Sequence, residues 1–155
     1  AADEAAYYVS LRTLDAIAVV HRGTRELVGM IGGDHSDYEL VGGDRMFESQ
    51  HRFQRIAGGV LVFDNGSPEH YESRVIELAL DDEAGTAEVV WSHEPAQSLY
   101  VPTLGDVSQT RAGTRLVTWS TAGQIDEVAA DGTVTWQVNL DMGAALGYTT
   151  HVDHI

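Results

Sequence analysis

Two kinds of residue in this sequence have the chemistry for group transfer: a histidine able to act as nucleophile or proton donor, and arginines able to hold an anion. His51 follows Gln50 at the head of an expected strand over 50–56, and Arg74 follows Ser73 at the head of another. A guanidinium at Arg74 is suited to gripping an oxyanion bidentately, and its competing reading is an inter-strand salt bridge to Asp64 or Glu77. For His51 the competing reading is a ring tucked between sheets and hydrogen-bonded to backbone. Asp106 heads a further expected strand over 105–110.

Other clusters read more plainly. Asp64, Asn65 and Gly66 look like hairpin chemistry, because Asn-Gly favours the positive backbone angles of a type I′ turn. Asp81 to Gly85 is a solvated acidic turn without the alternating ligands of a calcium loop. His151, Asp153 and His154 resemble a metal cluster, but on a strand only His151 and Asp153 share a face, so a polar terminal strand is expected and no metal site. A phosphate-cradling glycine loop, a Gly-x-Ser-x-Gly elbow and a His-Glu-x-x-His pair are all missing from the sequence, and no cofactor is expected.

The elements that position these residues read as almost entirely β. Short apolar runs bounded by Gly, Asp-Gly or Asn-Gly recur, and long stripes with a 3.6-residue period do not occur. Helical turns are expected only over 142–146 and within the first six residues. Three segments share one plan of strand, turn, strand, turn and a strand ending on a large residue, which aligns Val9 with Val62 and Val117, and Met30 with Trp91 and Trp136. Spacings of about 50 residues with a recurrent Trp fit four-stranded antiparallel propeller blades better than an immunoglobulin-like sandwich, which explains the strands but not the repeat. Trp91 and Trp136 then read as packing between sheets, with Trp119 outside that register. The expected blades cover residues 1–42, 43–99 and 100–141, with 142–155 opening a closing strand. The strand beginning at Tyr7 is the second of its blade, and strands 50–56 and 105–110 are innermost. About three blades do not close a ring, so a longer parent chain, a second copy or another partner is expected to complete it.

Composition narrows the function. All nine basic residues are arginine against 24 acids, a net charge of -15 that repels nucleic acid and anionic membrane. An arginine-only basic set suits either a high-GC or a salt-adapted source. There is no cysteine, which removes disulfides and thiolate sites. No apolar run reaches the length of a membrane span, and the first residues, AADEAAYY, have neither a basic nor an apolar leader character.

Residues 8–141 resemble the arylsulfotransferase-like family. The resemblance rests on YVSLRTLDAIAVVHRGTRELVGMIGG, then the order Gln50-His51, Phe63-Asp64-Asn65-Gly66, Ser73-Arg74 and Trp91, and finally LGDVSQTRAGTRLVTWSTAGQIDEVAADGTVTWQV. It implies a six-bladed propeller, usually exported to the periplasm or beyond the cell, that moves a sulfuryl group from one phenol to another without a nucleotide, through a histidine. His51 and Arg74 are then the catalytic candidates, Gln50 and Asp106 the substrate-binding ones, and an aryl sulfate or phenol the small-molecule partner. Two departures stand out: Met30 where Trp is common, and Asp106 rather than a histidine in the innermost strand GDVSQT. A non-catalytic propeller that binds a ligand or protein is the alternative.

Overall fold

The computed structural model describes residues 5–95, 97–141 and 143–152. Within them twelve strands form three sheets. The first sheet joins β1 (Ala6–Leu11), β2 (Ala16–His21) and β3 (Leu27–Ile31) in sequence order. The second joins β5 (Phe53–Ile56), β6 (Gly59–Asp64), β7 (Arg74–Asp81) and β8 (Thr86–His93), with β4 (Glu39–Val41) laid parallel along the outer edge of β8. The third joins β9 (Asp106–Gln109), β10 (Arg115–Trp119), β11 (Gln124–Val128) and β12 (Val134–Asn139). All other pairings are antiparallel.

The second sheet is covered on both faces, which explains its composition. β6 reads as an unbroken apolar run because neither of its faces meets water. Val60 and Val62 pack with Ile76, Leu78, Ile17 and Ile31, joining the first sheet to one face. Leu61 and Phe63 pack with Val75, Val107, Val117 and Trp119, joining the third sheet to the other. β12 covers no such core and is exposed along most of its length.

Each sheet has a register shift at the corresponding place: between Val19 and Val20, Glu77 and Leu78, and Glu127 and Val128. A bulge inserts one residue into the outer strand and changes which side chains share a row. The row of Tyr8 and Val19 therefore ends on Gly29, where the rows of Leu61 with Glu77 and Leu116 with Glu127 end on Trp91 and Trp136. Met30 is one row away from the tryptophans with which sequence alignment groups it. The first and third sheets also share a connection, a 3-10 turn closed by a left-handed residue: Arg12–Leu14 then Asp15, and Ser120–Ala122 then Gly123.

Three local expectations change. Asn65 and Gly66 do not make a tight hairpin: only Gly66 has positive φ, and a long connection separates Asp64 from Arg74. Asn65 is buried instead, its amide donating to the carbonyls of Val101 at 2.6 Å and Leu104 at 2.9 Å. Among the tryptophans, Trp119 is the fully buried one and Trp136 is 51% exposed, because β12 is an outer strand with its Trp on the uncovered face. Residues 143–146 form no helix, and Met142, residues 1–4, Asp153 and His154 lie outside the described residues. No helix among the described residues is long and apolar enough to cross a membrane.

Candidate active site

In the second and third sheets the start of β5 pairs with the end of β6 and the start of β9 with the end of β10, and β5 packs beside β9. Residues that precede β5 and open β9 are thereby neighbours, and Gln109 N–H donates to Gln54 Oε1 at 2.7 Å to tie the two strands. His51 and Arg52 are held by backbone pairing to Phe63: His51 N–H donates to Phe63 O at 3.2 Å, and Phe63 N–H to Arg52 O at 2.8 Å. Phe63 is a rigid anchor, since its ring packs at 5.4 Å from Trp119 and fills the space above Gly105.

The His51 side chain is half-buried, and among the described residues neither ring nitrogen has a hydrogen-bond partner. Burial lowers its pKa below the usual histidine value, the Arg12 guanidinium lowers it further, and Asp106 works in the opposite direction. A neutral imidazole with an uncommitted lone pair results. Arg12 is held by a 2.8 Å bond from Nη2 to Pro102 O. Arg52 has its side chain 52% exposed and its Nε 3.3 Å from Asp106 Oδ1, an ion pair outside hydrogen-bond geometry.

Asp106 itself is buried, and its Oδ2 accepts a 3.0 Å bond from Thr149 N–H. Thr149 also bonds Thr118 side chain to side chain at 2.5 Å, and Leu146 N–H donates to Ser120 O at 2.9 Å. Residues 146–149 are thus strapped along the third sheet. The strap brings Tyr148 against His51, with ring centroids 6.3 Å apart and planes 21° from parallel, and beneath the Arg52 guanidinium at 5.9 Å. Tyr148, Arg52, Asp106, Ser108 and Arg111 line an open cleft of about 490 Å³.

Gln50 is fully buried, and its amide donates to Ala16 O at 2.7 Å and Ser10 Oγ at 3.2 Å, fastening the loop before His51 to the first sheet. Arg74 lies in a different cluster and makes no contact with His51 among the described residues. Its Nε donates to Asp64 Oδ2 at 2.8 Å and its Nη2 to the carbonyls of Arg45 and Met46 at 3.3 and 3.2 Å. Arg45 grips the same carboxylate at 2.8 Å, and Asp64 also accepts Glu48 N–H at 2.9 Å. Of the two salt-bridge partners weighed for Arg74, Asp64 is the one it meets; Glu77 pairs with Arg115 at 2.6 Å. Burial raises the Glu48 pKa, but hydrogen bonds from Ser67 and His70 and the Arg45 charge outweigh it and leave the carboxyl below its usual value.

Sequence reasoning did not single out Arg12, Arg52 or Tyr148. Arg52 adjoins His51 and had a readable signal; Arg12 and Tyr148 reach the site from opposite ends of the chain. Among the described residues no cluster of three or more His, Asp or Glu side chains is arranged to hold a metal.

Compared with known proteins, residues 1–141 match the family model described as Arylsulfotransferase (ASST). A search of curated proteins gives no match. Among solved structures, one similar to this chain is the crystal structure of a protein of unknown function from Bacteroides caccae, with 15% sequence identity and a TM-score of 0.44. The similarity covers 94% of this chain and 61% of that one, so this chain spans less than two thirds of that structure's length.

Proposed function

We propose, because the chain belongs to the arylsulfotransferase (ASST) family, that the face carrying His51 moves sulfuryl groups between phenolic compounds without a nucleotide. The observation that carries this reading is the His51 imidazole, whose ring nitrogens have no hydrogen-bond partner among the described residues, with the Arg12 charge acting on it and with Tyr148 stacked between it and the Arg52 guanidinium. In the first step a ring nitrogen donates its lone pair to sulfur. The sulfur–aryl oxygen bond breaks, and the departing oxygen keeps the electron pair and takes a proton from water, to which the acceptor's proton is later returned. In the second step the acceptor phenol's oxygen attacks the same sulfur, the nitrogen–sulfur bond breaks, and the acceptor's proton balances the one taken earlier. Charge spreads over the peripheral sulfuryl oxygens in such loose transition states, and the guanidiniums supply the stabilising field.

In this reading the three sheets are consecutive blades of a six-bladed propeller, covering residues 1–42, 43–99 and 100–141. The recurring bulge supports that division. β5 and β9 are then innermost strands, and His51, Arg52 and Asp106 face the central funnel. Asp106 acts by holding Arg52 and the strap, and Gln50 by fixing the loop that delivers His51. Arg74 joins them as a positioning residue, through Asp64 and the segment 45–48. A periplasmic or extracellular setting belongs to the same proposal.

The test is release of phenol from 4-nitrophenyl sulfate by the purified protein, with and without a second phenol. Acceptor-stimulated release with ping-pong kinetics is expected, and folded His51→Ala should lose turnover. Wild-type rates in folded His51→Ala would sink the assignment, and saturable binding of the aryl sulfate without transfer would favour a binding module.

A further inference from the structure

We infer that Tyr148 is a positioning residue that sets the plane of the His51 imidazole. The inference rests on the reading of His51 as the reactive group. A histidine χ2 torsion is broad and roughly two-fold, so an imidazole without hydrogen bonds turns easily about it. His51 is such a ring: its backbone is pinned to Phe63, yet neither ring nitrogen is bonded among the described residues. The nearly parallel ring of Tyr148 is the aromatic contact that His51 makes, and its separation lies within the range of offset aromatic pairs.

Tyr148 is 68% exposed, so hydrophobic burial does not account for its position. The strap does. Thr149, its neighbour, is tied twice, to Thr118 and to Asp106, and Leu146 once, to Ser120. Asp106 in turn pairs with Arg52, whose guanidinium lies over the Tyr148 ring. The offset ring limits rotation of the imidazole about χ2 and leaves its nitrogens without a hydrogen-bond partner among the described residues. Orientation of this kind is a recognised source of rate, because a reacting atom must meet its partner along a narrow line.

The experiment compares wild type, Tyr148→Phe and Tyr148→Ala by two readouts. The first is the pH profile of His51 acylation by diethyl pyrocarbonate, which attacks unprotonated imidazole and is resolved among the seven histidines by mass spectrometry. The second is aryl sulfate turnover. Tyr148→Phe should match wild type in both. Tyr148→Ala should move the His51 midpoint up toward its ordinary value and lower kcat about tenfold with little change in KM. Exposure of Tyr148 means that neither variant removes a core side chain. An unmoved midpoint with unchanged kcat in Tyr148→Ala overturns the inference. Equal loss of kcat in the Phe and Ala variants overturns it too, since the hydroxyl would then be the acting group. A moved midpoint together with full turnover in His51→Ala keeps Tyr148 as the clamp on His51 and removes instead the reading of His51 as nucleophile.

Discussion

Replacing Asp64 by Asn should be among the most damaging single changes in the protein. The carboxylate is completely buried and is met by Arg45 and Arg74, whose side chains are only 14% and 17% exposed. The amide keeps the size but removes the counter-charge of both cations and turns an NH2 group toward one of them. Breaking a buried pair by removing one partner costs about 3–5 kcal/mol, largely because the surviving charge has no compensation. Arg74→Met should cost less, about 1–3 kcal/mol, because Asp64 keeps Arg45 and the Glu48 and Gly66 N–H donors. The double variant should then recover about 1–3 kcal/mol relative to the sum, the signature of direct coupling. Urea unfolding followed by tryptophan fluorescence reads this, with buried Trp119 as reporter. At slopes of about 1–3 kcal/mol per molar, Asp64→Asn should lower the midpoint by at least about 1 M. A strictly additive cycle, or a midpoint shift below about 0.3 M, would refute the ion-pair account of Arg74. Activity separates the same readings: a group that grips the transferring sulfuryl loses on the order of a hundredfold in rate on truncation to Ala and is only partly rescued by Lys, whereas the ion-pair account has folded Arg74→Lys turning over near wild type.

Gly105→Ala should destabilise by about 2–4 kcal/mol, because φ is 100° and the added Cβ would stand 2.3 Å from the Phe63 ring; a thermal midpoint within about 2 °C of wild type would contradict this. Trp119→Phe should cost about 2–4 kcal/mol in urea unfolding followed by circular dichroism, since it leaves a void and removes the 2.7 Å bond from Nε1 to buried Asp126. His51 and His93 both have pKa values lowered by burial, so the unfolded chain binds protons near pH 6.5 while the folded chain resists them. Their stabilising contribution is complete above about pH 6.5 and is lost as the pH falls below it, so the wild-type midpoint should decline from pH 7.5 to 5.5 more steeply than that of His93→Leu; parallel declines would refute it. Exposed Tyr7 and Leu27 on the first sheet and Trp136 on the third predict self-association that strengthens with salt as the net charge of -15 is screened, and a light-scattering mass equal to the monomer at both low and high salt would oppose it.

What could be read from the sequence was whatever depends on neighbours along the chain. The glycine-bounded apolar runs, Val60 to Phe63 among them, signalled an almost entirely β chain of antiparallel strands; that β6 is covered on both faces came only with the packing. A bulge leaves no such local trace, because it depends on how two strands count against each other; hence Met30 was grouped with the tryptophans while Gly29 occupies their row. The expected tight turn at Asn65-Gly66 failed for a related reason. Its two residue types suit a type I′ turn, but the Asn65 amide satisfies two carbonyls almost forty positions away, and that bond set fixes the backbone differently.

The candidate site divides along the same line. Gln50 and His51 were legible as a pair at a strand head, and Arg74 as a cation with Asp64 in reach, but their division of labour was not. Their hydrogen bonds support the division proposed: the Gln50 amide is bonded to Ser10 and Ala16, and Arg74 makes three bonds to Asp64 and the carbonyls of Arg45 and Met46. Those bonds hold the segment that runs into His51 from both sides. Among the described residues the imidazole is left with uncommitted nitrogens, and the charges that act on it come from Arg12, in the turn that closes β1, and from Asp106, which is itself paired with Arg52. Under the proposed transfer reaction, two buried carboxylates of a strongly acidic chain serve to fix loops and arginines: Asp64 holds Arg45 and Arg74, and Asp106 holds Arg52 and the N–H of Thr149.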